Sequence, residues 1–359
     1  MDTILRAPAP LLAVAASLYG FAVRVRDHAY SRGWAAPRRL PGPVISVGNL
    51  TLGGSGKTPL AAYLVEALLE RGRRPAVLTR GYGRRRPGLT HILPPGVTPV
   101  RPALEIGDEP ALLRRRFPGI WMGVAADRHA AGSVIAAKAP DAVFILDDGF
   151  QHRGLRRDLD IVIVDPSRPL AAGRLLPRGS LREPPAALRR AHLVVINGSP
   201  DAPDAARARA DVRSLAGDKP VFHCVQSIVS LVPYPGWKAG GARGVPPPRT
   251  AFLVAALGNP ARFRGDIERL GIEVTGASFF RDHHSLAPGD WARCLAAARR
   301  LDADAIVVTE KDAVKITAPP DFPLLVACQI VEFCGEDAFL AAIVRALPQP
   351  AAAHSQIVF

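Results

Sequence analysis

Apolar residues in this chain gather into short continuous runs, separated by polar, glycine-rich or proline-rich stretches and by segments of helical spacing. Residues 44–47 form the first buried run. Beyond a glycine-rich loop, Leu60, Leu64, Ala67 and Leu68 recur at helical spacing as far as Gly72, and residues 75–78 follow after a short connection. Strand, loop, helix and strand in that order predict a parallel sheet. Further strands are predicted at 142–146, 159–164 and 192–196. The rhythm resumes at 252–257, a helix at 260–270, then 272–274 and 305–309. Between the two series, residues 225–248 alternate apolar pieces with proline and glycine, as a linker or hairpin does. The pattern divides the chain into an N-terminal segment 1–40, a first α/β domain 41–228, a linker or hairpin 229–250 and a smaller α/β domain 251–350.

The N-terminal segment carries the apolar run 11–23, LLAVAASLYGFAV, between Arg6 and the pair Arg24 and Arg26. It is shorter than the roughly 20 residues of a bilayer span. A cleaved signal peptide, a helix packed on the body and a helix dipping into a membrane surface all fit its length. The flanking arginines favour the membrane-associated helix.

Composition adds charge to this picture. The chain of 359 residues is 48% hydrophobic and 22% charged, a globular balance, with a formal net charge of +14. Most of the excess is arginine, which suits phosphorylated substrates or anionic headgroups. Nucleic acid is the weaker partner, because aromatics are 6% and are not interleaved with the basic runs in a known motif. Cysteines 224, 294, 328 and 334 lack metal-ligand spacing.

The chemistry begins where the first run ends. Thr51, Gly53, Gly54, Ser55, Gly56, Lys57 and Thr58 form a glycine-rich loop opening a helix. Backbone N–H groups, a helix N-terminus, a lysine ammonium and a hydroxyl are what a nucleotide phosphate with Mg2+ requires. The strict pattern GxxxxGK(S/T) has glycine where this chain has Thr51. The predicted strand 142–146 delivers Asp147 and Asp148 to its tip, where phosphate-loop enzymes hold Mg2+ or its water shell, and Gln151 and His152 follow. The fold expected is therefore a P-loop NTPase-type parallel sheet with helices on both faces, plus the smaller α/β domain and the N-terminal helix.

Other segments leave alternatives open. Arg80 lies in a glycine-flanked turn, TRGYGR, which reads equally as a loop over the binding face or an ordinary turn with a basic rim. Asp108 and Glu109 read first as a helix cap. The stretch 173–184, containing Arg182 and Glu183, suits a phosphate or substrate loop or a surface connection. His283 and His284 beside Asp282 could be ligands, an acid–base element or polar loop residues, and residues 309–312, TEKD, are a further candidate for a cleft between domains.

Taken in order, GNLTLGGSGKTP (48–59), LTRGYGR (78–84), GDEP (107–110), DDGFQH (147–152), LREP (181–184), ALGNP (256–260), FRDHH (280 onward, after Phe279) and TEKD (309–312) resemble the tetraacyldisaccharide 4'-kinase family, the lipid A 4'-kinases. The resemblance spans nearly the whole chain, and Thr51 is similar to the family's usual loop. It implies transfer of the ATP γ-phosphate to the 4'-hydroxyl of a tetraacylated glucosamine disaccharide 1-phosphate, at the cytoplasmic face of the bacterial inner membrane, by a peripheral or monotopic protein. Asp108 and His283 match the family's catalytic pair. Lys57 would hold the β- and γ-phosphates, and Thr58, Asp147, Asp148 and Glu183 would serve the metal. Arg80, Gln151, His152 and Arg182 would support substrate or phosphate. A partition-type or metal-insertion ATPase, or a membrane-associated nucleotide switch, is the competing expectation from the loop alone.

Overall fold

A computed structural model describes residues 9–168, 170, 173–241 and 243–347. Arg6 and residues 348–350 of the expected last domain lie outside the described residues. The strands are β1 (Val44–Gly48), β2 (Arg74–Thr79), β3 (His91–Leu93), β4 (Trp121–Val124), β5 (Ala142–Asp147), β6 (Leu159–Val164), β7 (Leu193–Asn197), β8 (Val221–Pro233), β9 (Thr250–Ala256), β10 (Glu273–Phe280), β11 (Ala305–Thr309) and β12 (Leu324–Cys334). All join one sheet in the order β10-β9-β11-β12-β8-β7-β6-β1-β5-β2-β4-β3.

The sheet has two parallel parts. From β7 to β4 neighbouring strands run parallel, with β3 antiparallel at the edge, and β10, β9, β11 and β12 are parallel to one another. Between the parts, β8 and β12 pair antiparallel over a long ladder with a bulge between Cys328 and Gln329. The stretch read as linker or hairpin thus opens inside β8 and continues into the short helix Tyr234–Lys238.

Every residue of β1, β5, β6 and β7 is buried, as expected of parallel strands covered on both faces. The helix Lys57–Glu70 covers one face with Leu60, Leu64, Val65 and Leu68, each side chain contributing roughly 2 kcal/mol by burial. It stops where expected, at Gly72, which takes a left-handed φ of 66°. The helix Arg128–Lys138 covers the opposite face. Because β1 and β5 are adjacent, with Val47 opposite Asp147, the glycine loop and the Asp147–Asp148 pair emerge side by side at the carboxyl ends of the sheet.

The apolar N-terminal run lies in a 23-residue helix, Ala9–Ser31. One side docks on the body, burying Gly20 and Val23. The Tyr19 hydroxyl donates to the Arg182 carbonyl at 2.6 Å, Arg26 pairs with Glu183, and Asp27 takes Arg153 at 3.0 Å. Its other side presents Leu11, Val14, Leu18, Phe21 and Val25, each 52–66% exposed, as one stripe at alternating steps of three and four. Among the described residues no helix is long and apolar enough to cross a membrane.

Candidate active site

The glycine loop is braced from several directions. Asn49 Nδ2 donates to the Thr51 carbonyl and to Ser55 Oγ, both at 2.7 Å, and Asn197 Nδ2 donates to the Ser55 carbonyl at 3.1 Å. Gln226 of β8 donates to the Gly56 carbonyl at 2.9 Å. A Cβ on Gly56 would stand 2.2 Å from the Gln226 amide, and φ there is 91°, so the position admits only glycine without rearrangement. Gly53, at φ 101°, passes beside Arg168, which donates to the Leu52 carbonyl at 2.6 Å. Gly54 lies against Gly258 of the ALGNP turn. Thr51, in place of the strict motif's glycine, is buried and bridges to Leu181.

Lys57 and Thr58 open the following helix, both largely buried. Lys57 Nζ lies 3.6 Å from Asp148 Oδ1, and Arg182 Nη1 contacts both Asp148 oxygens at 2.8 Å. Burial alone would raise the Asp148 carboxyl, but Lys57 and Arg182 hold it below the usual carboxylate range. Asp148 is also one of three non-glycine residues with positive φ among the described residues. Asp147 differs in every respect. It ends β5, is 1% exposed, and neither carboxylate oxygen has a hydrogen-bond partner. Burial first, then the charges of Glu109 and Asp148, push it up to about 8. An orphaned, buried carboxylate beside the phosphate-loop lysine fits a divalent cation, and the Thr58 hydroxyl supplies a second oxygen type. Of the two adjacent aspartates, Asp147 therefore has oxygens to offer a metal, while Asp148 is engaged by cations.

Glu183 does not fit its expected metal role. It is fully buried, and its two oxygens are taken by Arg26 of the N-terminal helix and by Arg190. Its neighbour Arg182 reaches Asp148, so the LREP turn joins the N-terminal helix to the phosphate site. Gln151 donates to the Asn49 carbonyl at 2.9 Å and bears on Arg182 at 3.5 Å. His152 is held down to about 4 by burial and by the charges of Arg128 and Arg157, so it is neutral, with Nε2 unpartnered. Arg80 is exposed at the end of β2, where its charge acts on Arg84 and Arg128 and makes a cationic rim.

From its own carboxyl ends, the second parallel part contributes the turns after β9, β10 and β11. His283, in the left-handed region at φ 65°, places Nδ1 at 3.0 and 2.9 Å from the two oxygens of Asp108. Asp108 is the first residue of the helix Asp108–Arg116; the cap position is Gly107, which has no capping side chain. Burial by itself would raise Asp108, but the His283 hydrogen bond and the Lys311 charge bring it below its ordinary value. Burial would lower His283, yet its bond to Asp108 raises it. His284 is occupied elsewhere, stacked on Phe280 and bonded to Asp290 at 3.0 Å. Asn49 and Gln226 were not expected from the sequence, whereas the TRGYGR turn, read as a loop over the binding face or an ordinary turn, carries Tyr82, whose ring lies 4.9 Å from that of His283.

The sequence model of the family described as tetraacyldisaccharide-1-P 4'-kinase matches residues 8–348. A tetraacyldisaccharide 4'-kinase of Geobacter sulfurreducens is 40% identical over 322 residues, covering 86% of this chain and 84% of that protein. Its counterpart in Geobacter metallireducens is 42% identical over 310 residues, covering 85% and 88%. Among solved structures, the "apo" form of LpxK from Aquifex aeolicus in complex with ATP aligns with a TM-score of 0.71 at 28% identity, covering 95% of this chain and 99% of that one.

Proposed function

The chain belongs to the tetraacyldisaccharide 4'-kinase family, and from that membership we propose how its cleft is used. The protein is an ATP-dependent kinase that phosphorylates the 4'-hydroxyl of tetraacyldisaccharide 1-phosphate in lipid A biosynthesis. The observation that carries the assignment of roles is the Asp108–His283 contact, made between the two parallel parts beside the phosphate loop.

In this reading Asp108 accepts the proton of the sugar 4'-hydroxyl as its oxygen forms a bond to the γ-phosphorus and the bond to the ADP oxygen breaks. His283 holds the Asp108 carboxylate in place and balances its charge. Lys57 and the loop N–H groups receive the β- and γ-phosphates, and Arg182 keeps Asp148 ionised beside Lys57. Asp147 and Thr58 are the residues that would hold Mg2+, which supplies charge neutralisation on the phosphate oxygens when bound. Arg80, Gln151 and His152 line the approaches.

The acceptor's acyl chains stay in a bilayer, so the enzyme must work against one. The exposed stripe of the N-terminal helix and the arginine-rich surface support a monotopic or peripheral site at the cytoplasmic face of the inner membrane, with anionic lipid rather than nucleic acid as the polyanion met. Transfer of label from γ-labelled ATP to purified disaccharide lipid tests the function. Hydrolysis with no labelled lipid would return the loop to the partition-type or metal-insertion ATPases, or to a nucleotide switch.

A further inference from the structure

The proton-accepting pair has a third member that the reading above does not use. Lys311 follows β11 in the short helix Glu310–Ala313. Its Nζ lies 2.8 Å from Asp282 Oδ1, 3.2 Å from Glu109 Oε1, 3.4 Å from His283 Nε2 and 3.9 Å from Asp108 Oδ2. These partners come from both sides of the cleft: Asp108 and Glu109 from the helix beside the phosphate loop, Asp282 and His283 from the turn after β10. The backbone that carries Lys311 is itself fixed. Fully buried Asp312 accepts from Thr309 Oγ1 at 2.7 Å and from the Ala256 N–H at 3.0 Å, and Glu310 accepts from the Gln329 N–H at 3.2 Å.

We propose that Lys311 is a positioning residue for the kinase reaction, holding the Asp108 and His283 side chains in register across the cleft and keeping Asp108 competent to take the hydroxyl proton. The charge arithmetic calls for it. Three carboxylates, Asp108, Glu109 and Asp282, converge here, and without Lys311 the His283 imidazole faces them with only the more distant Lys315 acting on Asp108, among the described residues. Their mutual repulsion would then favour a proton on Asp108 and drive the Asp282–His283 turn from the helix opposite. Asp108 is faced by His283, Lys311, Glu109 and, farther off, Lys315; His283 is faced by Asp108, Asp282, Lys311 and the Tyr82 ring. The inference rests on the assignment of Asp108 as proton acceptor.

The test is kcat against pH at saturating ATP and acceptor lipid for the wild type, Lys311→Met and Lys311→Arg. Loss of the ammonium is expected to lower kcat at neutral pH by about tenfold or more and to move the acid limb upward by about one pH unit, with KM for ATP changed by less than about threefold. Lys311→Arg should return the limb most of the way while kcat stays reduced, since a planar fork cannot reproduce the ammonium's contacts. Should Lys311→Met fail to fold, Lys311→Gln keeps donors for Glu109 and Asp282 and serves in its place. A uniform fall in kcat with the wild-type acid limb retained would make Lys311 a mere brace and overturn the proposal. Independently of turnover, the His283 imidazole of the ligand-free protein, followed by NMR, should titrate at higher pH in Lys311→Met; an unmoved imidazole also overturns it. Failure of the wild type to label the lipid would count against the functional reading and leave this titration standing as its own test.

Discussion

His283 Nδ1 sits 3.0 and 2.9 Å from the two carboxylate oxygens of Asp108, across 175 residues of sequence. The contact joins the first residue of the helix Asp108–Arg116 to the turn after β10, with the carboxylate almost wholly removed from water. Asp108→Asn should therefore lower kcat by about 10²- to 10⁴-fold with ATP affinity nearly unchanged, as read by single-turnover kinetics and nucleotide titration. His284→Ala, which touches Phe280 and Asp290 instead, should lose far less turnover. A loss from His284→Ala as large as that from Asp108→Asn would contradict the assignment.

The same pair sets a pH window for stability. His283 is raised in the folded protein, so its contribution is complete below the ordinary imidazole range and disappears as pH rises through the raised value. Asp108 is lowered, so its contribution is complete above the ordinary carboxylate range and disappears as pH falls through the depressed value. Melting temperature against pH should show a plateau between these limits. In Asp108→Asn both shoulders attributable to the pair should flatten.

Asp147 predicts the opposite behaviour. A carboxyl pushed up to about 8 binds its proton more tightly folded than unfolded, so it weakens the metal-free protein progressively as pH rises from about 4 to about 8. Asp147→Asn removes that penalty, and the ligand-free variant should be more stable than wild type at pH 8, by on the order of 2 kcal/mol or more, while phosphorylating no lipid. Calorimetry at pH 4 and pH 8 checks the first part. An equal difference at both pH values would contradict it.

Glu183 separates a clamp from a metal ligand. Neutralising it leaves Arg26 and Arg190, both part-exposed and still paired with Asp27, facing an amide, and weakening such charged hydrogen bonds costs about 1 to 3 kcal/mol. Glu183→Gln should loosen the N-terminal helix, seen as faster proteolysis or hydrogen exchange over 9–31, with the Mg2+ dependence of nucleotide binding unchanged. A weakened Mg2+ response with an intact helix would restore the metal role.

The N-terminal stripe predicts a lipid phenotype that spares the chemistry. Leu18 and Phe21 are 66% and 62% exposed, and inserting each into a bilayer would gain roughly 2 kcal/mol. The double variant Leu18→Glu, Phe21→Glu should co-sediment with anionic vesicles at least about tenfold less, while its kcat on detergent-dispersed acceptor stays near wild type. Unchanged partitioning would place the membrane contact on another surface.

How far the sequence discloses this molecule depends on burial. The runs that became β1, β5, β6 and β11 were legible because strands covered on both faces are mostly apolar along their length, and the Lys57 and Asp147–Asp148 segments because each is contiguous. β8 and β12 escaped notice, since both mix buried, half-buried and exposed positions without a clean period. Long-range pairings were beyond any local pattern: the Asp108–His283 expectation came from family resemblance, and nothing near Glu183 announced that Arg26 would reach it.

The two long strands have a mechanical consequence. β8 meets β7 only over Val221–Cys224, and β12 meets β11 only over Leu324–Ala327. Between those stretches Gln226, Ser227 and Ile228 face Val331, Ile330 and Gln329 as a two-stranded ribbon with no further strand beside it among the described residues, next to the bulge at Cys328/Gln329. Two-stranded ribbons twist more readily than wide sheets. Within the sheet, the parts bearing Lys57 and His283 are thus joined through this ribbon alone, and Gln226 ties it to the glycine loop by donating to the Gly56 carbonyl at 2.9 Å.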